Sequence, residues 1–406
     1  MLRLLRRRDF ALLWFGGLVS IAGDWVLYAA LPYFVYQRTG STVATAGMIV
    51  AELSPGVLLG SFAGVFVDRW DRKRLLVIGN LLEAASVALL LLVPGGGWIG
   101  LVYVAAIVQA SVAAFAMPAE SALLPALVNA DDLVAANALN ALNNRLGRLI
   151  GLPLGGTLLG VLGLRGVVAG DCLTFVIAAA MIAAIAAPHT RAAVDDGGVA
   201  EEARGAWAAF WHEWRDGMRL VVHERSVGVL FVVLGLMTFG GTMLDPLNAP
   251  WVRDVLDQGP QVYAWLLTTS AASGIVGTLL VGRFGRSLPP RVLMGWSSVL
   301  AGALLLVRFN VPSVGLAFAL SVPNGITSVA SAVGVETLIQ RTVRPEHRGR
   351  IFGALGASGA LLSLLGAGVG GALAEVVGIV TMLNVAAGLT VLAGLVVLRA
   401  FPAGRA

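Results

Sequence analysis

The chain has 406 residues, 58% of them apolar and 13% charged, with a formal net charge of +5. Soluble proteins average about 25% charged residues, so a string of soluble domains is excluded, and the lone Cys172 leaves no internal disulfide and no cysteine metal site. The positive balance does not make a nucleic-acid surface either, because the basic residues fall in short gaps between apolar runs.

The N-terminal RLLRRR (3–8) precedes an apolar stretch that is too long for a signal-peptide core and contains Asp24, so it reads as a retained first span. About 20 apolar residues at 1.5 Å rise cross a hydrocarbon core of about 30 Å. Cutting the runs at charges and Gly/Pro clusters predicts twelve helical spans. In the first half these are 10–37, 45–67, 75–93, 98–122, 136–163 and 167–187. The second half gives 227–250, 262–282, 291–308, 311–337, 349–375 and 379–399. The predicted fold is an all-α integral membrane protein of two six-helix bundles, 1–190 and 227–406, joined by a linker at 191–226. Within the linker region, AWAAFWHEWRDGMRLVV (206–222) spaces Trp207, Phe210, Trp211, Trp214, Met218 and Val221 as one face of an amphipathic helix.

Lysine and arginine orient the spans. With the N-terminus cytoplasmic, only Arg38, Arg165, Arg253 and Arg308 of the 28 basic residues lie outside, which obeys the positive-inside rule. Both termini are then cytoplasmic, in a cell inner or plasma membrane.

The halves resemble each other at an offset near 215 residues. IGLPLGGTLLGVLG (150–163) aligns with LGAGVGGALAEVVG (365–378), and VDRWDR (67–72) with VGRFGR (281–286). Parallel repeats of this kind build transporters that rock about a central site. The stretch GVFVDRWDRKRLL (64–76) concentrates charge between the second and third spans. Its Gly64, Asp68, Arg69, Arg72 and Lys73 match the G-x-x-x-D-R-x-G-R-[RK] motif of the major facilitator superfamily, with Asp71 where glycine is usual. The chain resembles that superfamily throughout. Within it, RDFALLWFGGLVSIAGDWVLYAALP (8–32), PAESALLPALVNADDLVAANAL (118–139) and RGRIFGALG (348–356) are similar to a drug:proton antiporter branch of macrolide-efflux and enterobactin-exporter-like proteins. Span five resembles the antiporter motif, with Leu152 inserted before Pro153; span four lacks the arginine of many proton antiporters.

The resemblance implies a cytoplasmic latch in which Asp68 meets a helix N-terminus of the other half, while Arg69, Arg72 and Lys73 hold acidic partners and lipid phosphates. It implies a cavity lined by spans one, four, seven and ten. There Asp24, with Trp25 and Tyr28 beside it, is the leading proton and substrate candidate; a charge at mid-membrane costs roughly 2.5–3.5 kcal/mol and needs a reason. Asp245 with Asn248, Glu52 beside Pro55, and the neutral Gln109 and Asn324 complete the candidates, while Glu83, Asp171, Glu120 and Glu336 read as structural. The implied activity is proton-coupled efflux of amphipathic small molecules, with siderophore or lysophospholipid transport as the alternative. The expected partners are the substrate, protons and membrane lipids, in a monomer without cofactor or metal. An enzyme is disfavoured: the four histidines, 189, 212, 223 and 347, lie between spans and form no catalytic pairing.

Overall fold

The computed structural model describes residues 2–94, 97–186, 211, 214–345 and 348–401. Among them the chain is helical, with short 3-10 turns and one π-turn. Eleven helices are long and apolar enough to cross a membrane. One of them, Ala130–Ala183, has 54 residues. That is about 80 Å of helix at 1.5 Å per residue, far beyond one crossing. Gly163, with φ 65° and ψ −171°, breaks it where only glycine is comfortable. The helices before and after this break are α5 (133–162) and α6 (164–183).

The others in the first half are α1 (Arg8–Thr39), α2 (Thr42–Arg69), α3 (Arg72–Ala88) and α4 (Gly100–Leu127). The second half holds α7 (Arg225–Pro250), α8 (Pro260–Phe284), α9 (Pro290–Asn310), α10 (Val314–Thr342), α11 (Arg348–Val377) and α12 (Ile379–Ala400). Leu58, Leu81, Val161, Leu279 and Val376 are exposed on these helices. Such faces suit hydrocarbon rather than water. Proline inside a helix leaves the carbonyl four residues back unpaired. At Pro55 this is the Ala51 carbonyl, and Ser54 Oγ donates to it at 3.2 Å.

Two compact units emerge: Met1–Val35 with Ala51–Ala208, and Tyr36–Val50 with Ala209–Ala406. Sequence alone put the whole α1–α2 turn in the first bundle. Hydrogen bonds explain its grouping with the second: Tyr36 Oη donates to Asp254, Arg253 Nη1 to the Tyr36 carbonyl, and Thr42 Oγ1 to the Gly371 carbonyl at 2.7 Å.

In the N-terminal unit, α5 packs on α1 through a glycine stripe. A Cβ on Gly147 would lie 2.5 Å from Ile21 Cγ2, and one on Gly151 2.6 Å from Trp25 Cβ. Small residues let helices approach this closely where lipid supplies no hydrophobic drive. Two further bonds join the pair: Trp14 Nε1 to the Leu139 carbonyl at 2.9 Å and Asn143 Nδ2 to the Trp14 carbonyl at 2.7 Å. The C-terminal unit repeats the device between α11 and α7. There a Cβ on Gly366 would lie 2.5 Å from the Phe239 carbonyl oxygen, and one on Gly370 2.9 Å from that of Met243. Its core gathers Val227, Leu230, Met294, Leu338, Ile351 and Val397. From the linker, residues 214–223 are helical and dock on α11 of this unit, with Trp214 Nε1 donating to Ser358 Oγ at 3.1 Å. Trp207 and Phe210 of the expected amphipathic face lie outside the described residues.

Candidate functional site

A partly open cavity lies within each unit. The N-terminal one has a volume of about 280 Å³ and is lined by Asp24, Glu83 and Glu120 with Ser20, Asn80 and Asn140. Asp24 reaches it from the middle of α1, Glu83 from α3 and Glu120 from α4. Asp171 of α6 is fully buried directly beside it: a Cβ on Gly23 would run into its Oδ1 and into Thr174 Oγ1. Among the described residues its Oδ2 has no hydrogen-bond partner, and neither does the buried Oδ1 of Asn80. Cys172 Sγ donates to the Ala84 carbonyl at 3.3 Å, holding α6 against α3 next to Glu83. Asp24, Glu83 and Asp171 thus lie within Coulombic reach of one another, and Glu52 lies within reach of Asp24.

The structure brings together acids that sequence reasoning separated. From the sequence, Glu83, Asp171 and Glu120 read as structural. Glu120 instead faces the cavity and is hydrogen-bonded to Asn140. Trp25 and Tyr28 stack edge to face with centroids 4.9 Å apart. Arg148 of α5, placed in a cytoplasmic segment by the charge count, lies with its Cζ 4.6 Å from the centre of the Trp25 ring. That puts it at the depth of mid-α1, held there by a cation–π contact.

The C-terminal cavity, about 290 Å³, has a different lining. Asn248 and Asn324 reach it from α7 and α10 as expected of polar lining, joined by Ser270, Ser298, Ser331 and Arg308. None of its lining residues is acidic. Asn248 Nδ2 donates to the Leu244 carbonyl at 2.9 Å and Asn324 Nδ2 to that of Ala301 at 3.4 Å. Of the remaining candidates, Glu52, Gln109 and Asp245 line neither cavity; Gln109 Nε2 is buried without a partner. Arg308 went unread because an arginine near a helix end looks like a topology marker.

Gly64 and Asp68 lie on the last turns of α2, and the Asp68 side chain falls outside the described residues. Arg72 Nη1 donates to the Ala122 carbonyl at 3.2 Å and Lys73 Nζ to the Ile185 carbonyl at 2.6 Å. These partners are main-chain carbonyls near the ends of α4 and α6, where cations complement the helix dipole. Asp71, in the place of the motif's glycine, caps α3: its Oδ1 accepts from the Arg74 amide at 2.8 Å. Among the described residues no group of histidine, cysteine and acidic side chains is arranged to hold a metal ion.

The Major Facilitator Superfamily model matches residues 13–244 and 230–406. The chain belongs to that superfamily. As a member, it is a multi-pass membrane transporter and not an enzyme. Macrolide efflux protein A of Streptococcus pyogenes is 26% identical over 359 residues, spanning 86% of this chain and 84% of that protein. The multidrug efflux pump Tap of Mycolicibacterium fortuitum is 25% identical over 389 residues, 92% of this chain and 91% of Tap. Among solved structures, the nucleoside transporter NupG superposes with a TM-score of 0.76 at 12% identity, covering 97% of this chain and 100% of NupG. A bacterial homologue of the iron transporter ferroportin in an inward-facing state gives 0.73 at 16% identity, covering 97% and 98%. These likenesses establish the superfamily fold.

Proposed function

We propose that this superfamily member exports amphipathic small molecules in exchange for protons, with Asp24 as the coupling acid. The reading takes the break at Gly163 as separating two crossings, which makes twelve in two bundles with both termini cytoplasmic. Access to the substrate path alternates as the bundles rock, and the charged 68–74 segment serves as the cytoplasmic latch. One observation carries the proposal: a membrane-depth acid opens onto a cavity shared with two further carboxylates, whose remaining wall includes Leu13, Ile21 and Ile182. The names of the relatives agree with efflux as the direction.

A potential of 100 mV is worth about 2.3 kcal/mol per charge, enough for a substrate gradient of roughly fiftyfold per proton. Asp24→Asn keeps the shape and removes the titrating group. In inverted vesicles energised by a pH gradient, the variant should transport a radiolabelled macrolide or ethidium at least tenfold more slowly than the parent. Flux that matches the parent, and remains sensitive to a protonophore, would take the coupling role away from Asp24.

A further inference from the structure

We propose that the cavity of the C-terminal unit is a binding site for an organic anion, with Arg308 holding its carboxylate. Arg308 stands in the last turn of α9 and is more than nine-tenths buried. Its Cζ lies 5.0 Å from the centre of the Trp251 ring and 5.6 Å from that of Phe309. These ring contacts attract the charge but accept no conventional hydrogen bond, so the guanidinium N–H donors still need acceptors. None is found: Nε is buried without a hydrogen bond, and no carboxylate pairs with Arg308 among the described residues. The indole nitrogen of Trp251 beside it is likewise a buried donor with no acceptor among the described residues.

A buried charge without a counter-ion is expensive, and removing it from water is repaid only by an excellent partner. Here the guanidinium lines an open volume of about 290 Å³ whose other polar groups are uncharged. Hydroxyls at Ser270, Ser298 and Ser331 and the amides of Asn248 and Asn324 ring the space, and Leu244, Leu266 and Phe309 give it an apolar wall. An arginine fork matches a carboxylate with two parallel bonds, which a lysine does not reproduce. The volume is near the lower bound for ligand pockets and suits a compact aromatic or short-chain acid. The site stands apart from the coupling role of Asp24: binding is read without any gradient, so neither reading falls with the other.

The test uses the full-length protein in phosphatidylcholine nanodiscs with three matched probes: 1-naphthoate, 1-naphthalenemethanol and 1-naphthylmethylammonium. Calorimetric titration should rank naphthoate at least tenfold tighter than the alcohol and the ammonium weakest. Arg308→Gln should erase the advantage of naphthoate over the alcohol, and Arg308→Lys should keep only part of it. Because an arginine variant can fail to fold, Gly241→Leu supplies a second arm. A Cβ at Gly241 meets nothing within 4 Å and points into the same cavity, so leucine there fills the space while Arg308 stays intact. That variant should lose naphthoate binding and keep its thermal transition. Equal binding of the three probes by the parent, or naphthoate affinity unchanged in both Arg308→Gln and Gly241→Leu, overturns the proposal. So does loss of the naphthoate response when phosphatidylglycerol is added to the nanodisc, which would give the site to a lipid headgroup.

Discussion

The cavities of the two units are nearly equal in volume and opposite in chemistry. The N-terminal one collects Asp24, Glu83 and Glu120, with Asp171 buried behind it; the C-terminal one presents Arg308 and no acid. Yet the scaffolds around them follow one plan. Glycines of α5 meet the backbone of α1 as glycines of α11 meet that of α7. The contrast separates two kinds of position in a duplicated chain. Where backbone touches backbone, any added atom collides, so both copies are held to glycine. Where a side chain faces open volume, exchange costs little packing, and the chemistry of the copies drifts apart.

The sharpest way to break this comparison is to disturb both glycine seams and one open glycine. A leucine at Gly151 would drive into the Ala22 carbonyl and Trp25, and one at Gly366 into Phe239 and Thr242. Overpacking of this kind costs about 3 kcal/mol or more when the neighbour is backbone. Gly151→Leu and Gly366→Leu should therefore both yield little monodisperse protein on size-exclusion chromatography, while Gly241→Leu purifies like the parent. A well-folded Gly366→Leu would mean that the second seam is not the equivalent of the first.

The fold was largely legible in the sequence because its signals are long-range averages: apolar length, basic gaps, and a glycine pattern repeated about 215 residues apart. The break at Gly163 fell where the predicted spans five and six part. The site was legible one residue at a time. Asp24, Asn248 and Asn324 were found because each is a polar side chain set in a largely apolar run. Glu83 and Asp171 carried the same signal but read as structural, and only packing shows α3 and α6 delivering them toward α1. Arg148 and Arg308 were hidden by the charge count, which reads an arginine only as a topology marker. Both instead rest on aromatic rings, Trp25 in one unit and Trp251 in the other. Nothing in residue spacing announces a cation–π contact between helices distant in sequence.

A second, smaller effect sharpens the parallel between the units at the opposite end of α3 and α9. Lys73, near the start of α3, donates to the Ile185 carbonyl beyond α6 at 2.6 Å; Arg291, near the start of α9, donates to the Phe401 carbonyl beyond α12 at 2.7 Å. Donor and acceptor both recur at the repeat offset. Each bond satisfies a terminal carbonyl that has no helical partner. A hydrogen bond involving a charged group contributes about 1.5 kcal/mol when part-buried. Lys73→Ala and Arg291→Ala should thus lower the apparent Tm by similar amounts, and the double variant by their sum, since the bonds sit in separate units. Strong non-additivity would tie the two staples to one cooperative element and weaken the picture of independent copies.

The smallest effect tests where the copies differ at that same end. α3 begins with Asp71, whose carboxylate accepts from the Arg74 amide, whereas α9 begins with Pro289 and Pro290 and has no side-chain cap. Both solve the problem of unpaired amides in the first turn: one fills an amide's need, the other removes an amide and fixes φ. Removing the carboxylate costs about 1 kcal/mol, so Asp71→Ala should produce a modest fall in apparent Tm. Asp71→Asn, which caps as well, should restore most of it. The motif's usual residue is glycine, and glycine at a cap position loses only a few tenths of a kcal/mol. Asp71→Gly should therefore lie close to the parent in stability, with transport as the sensitive readout. If Asp71→Gly and Asp71→Ala both leave Tm unchanged while flux falls, the carboxylate acts on the latch rather than on the helix, and the departure from the motif is functional.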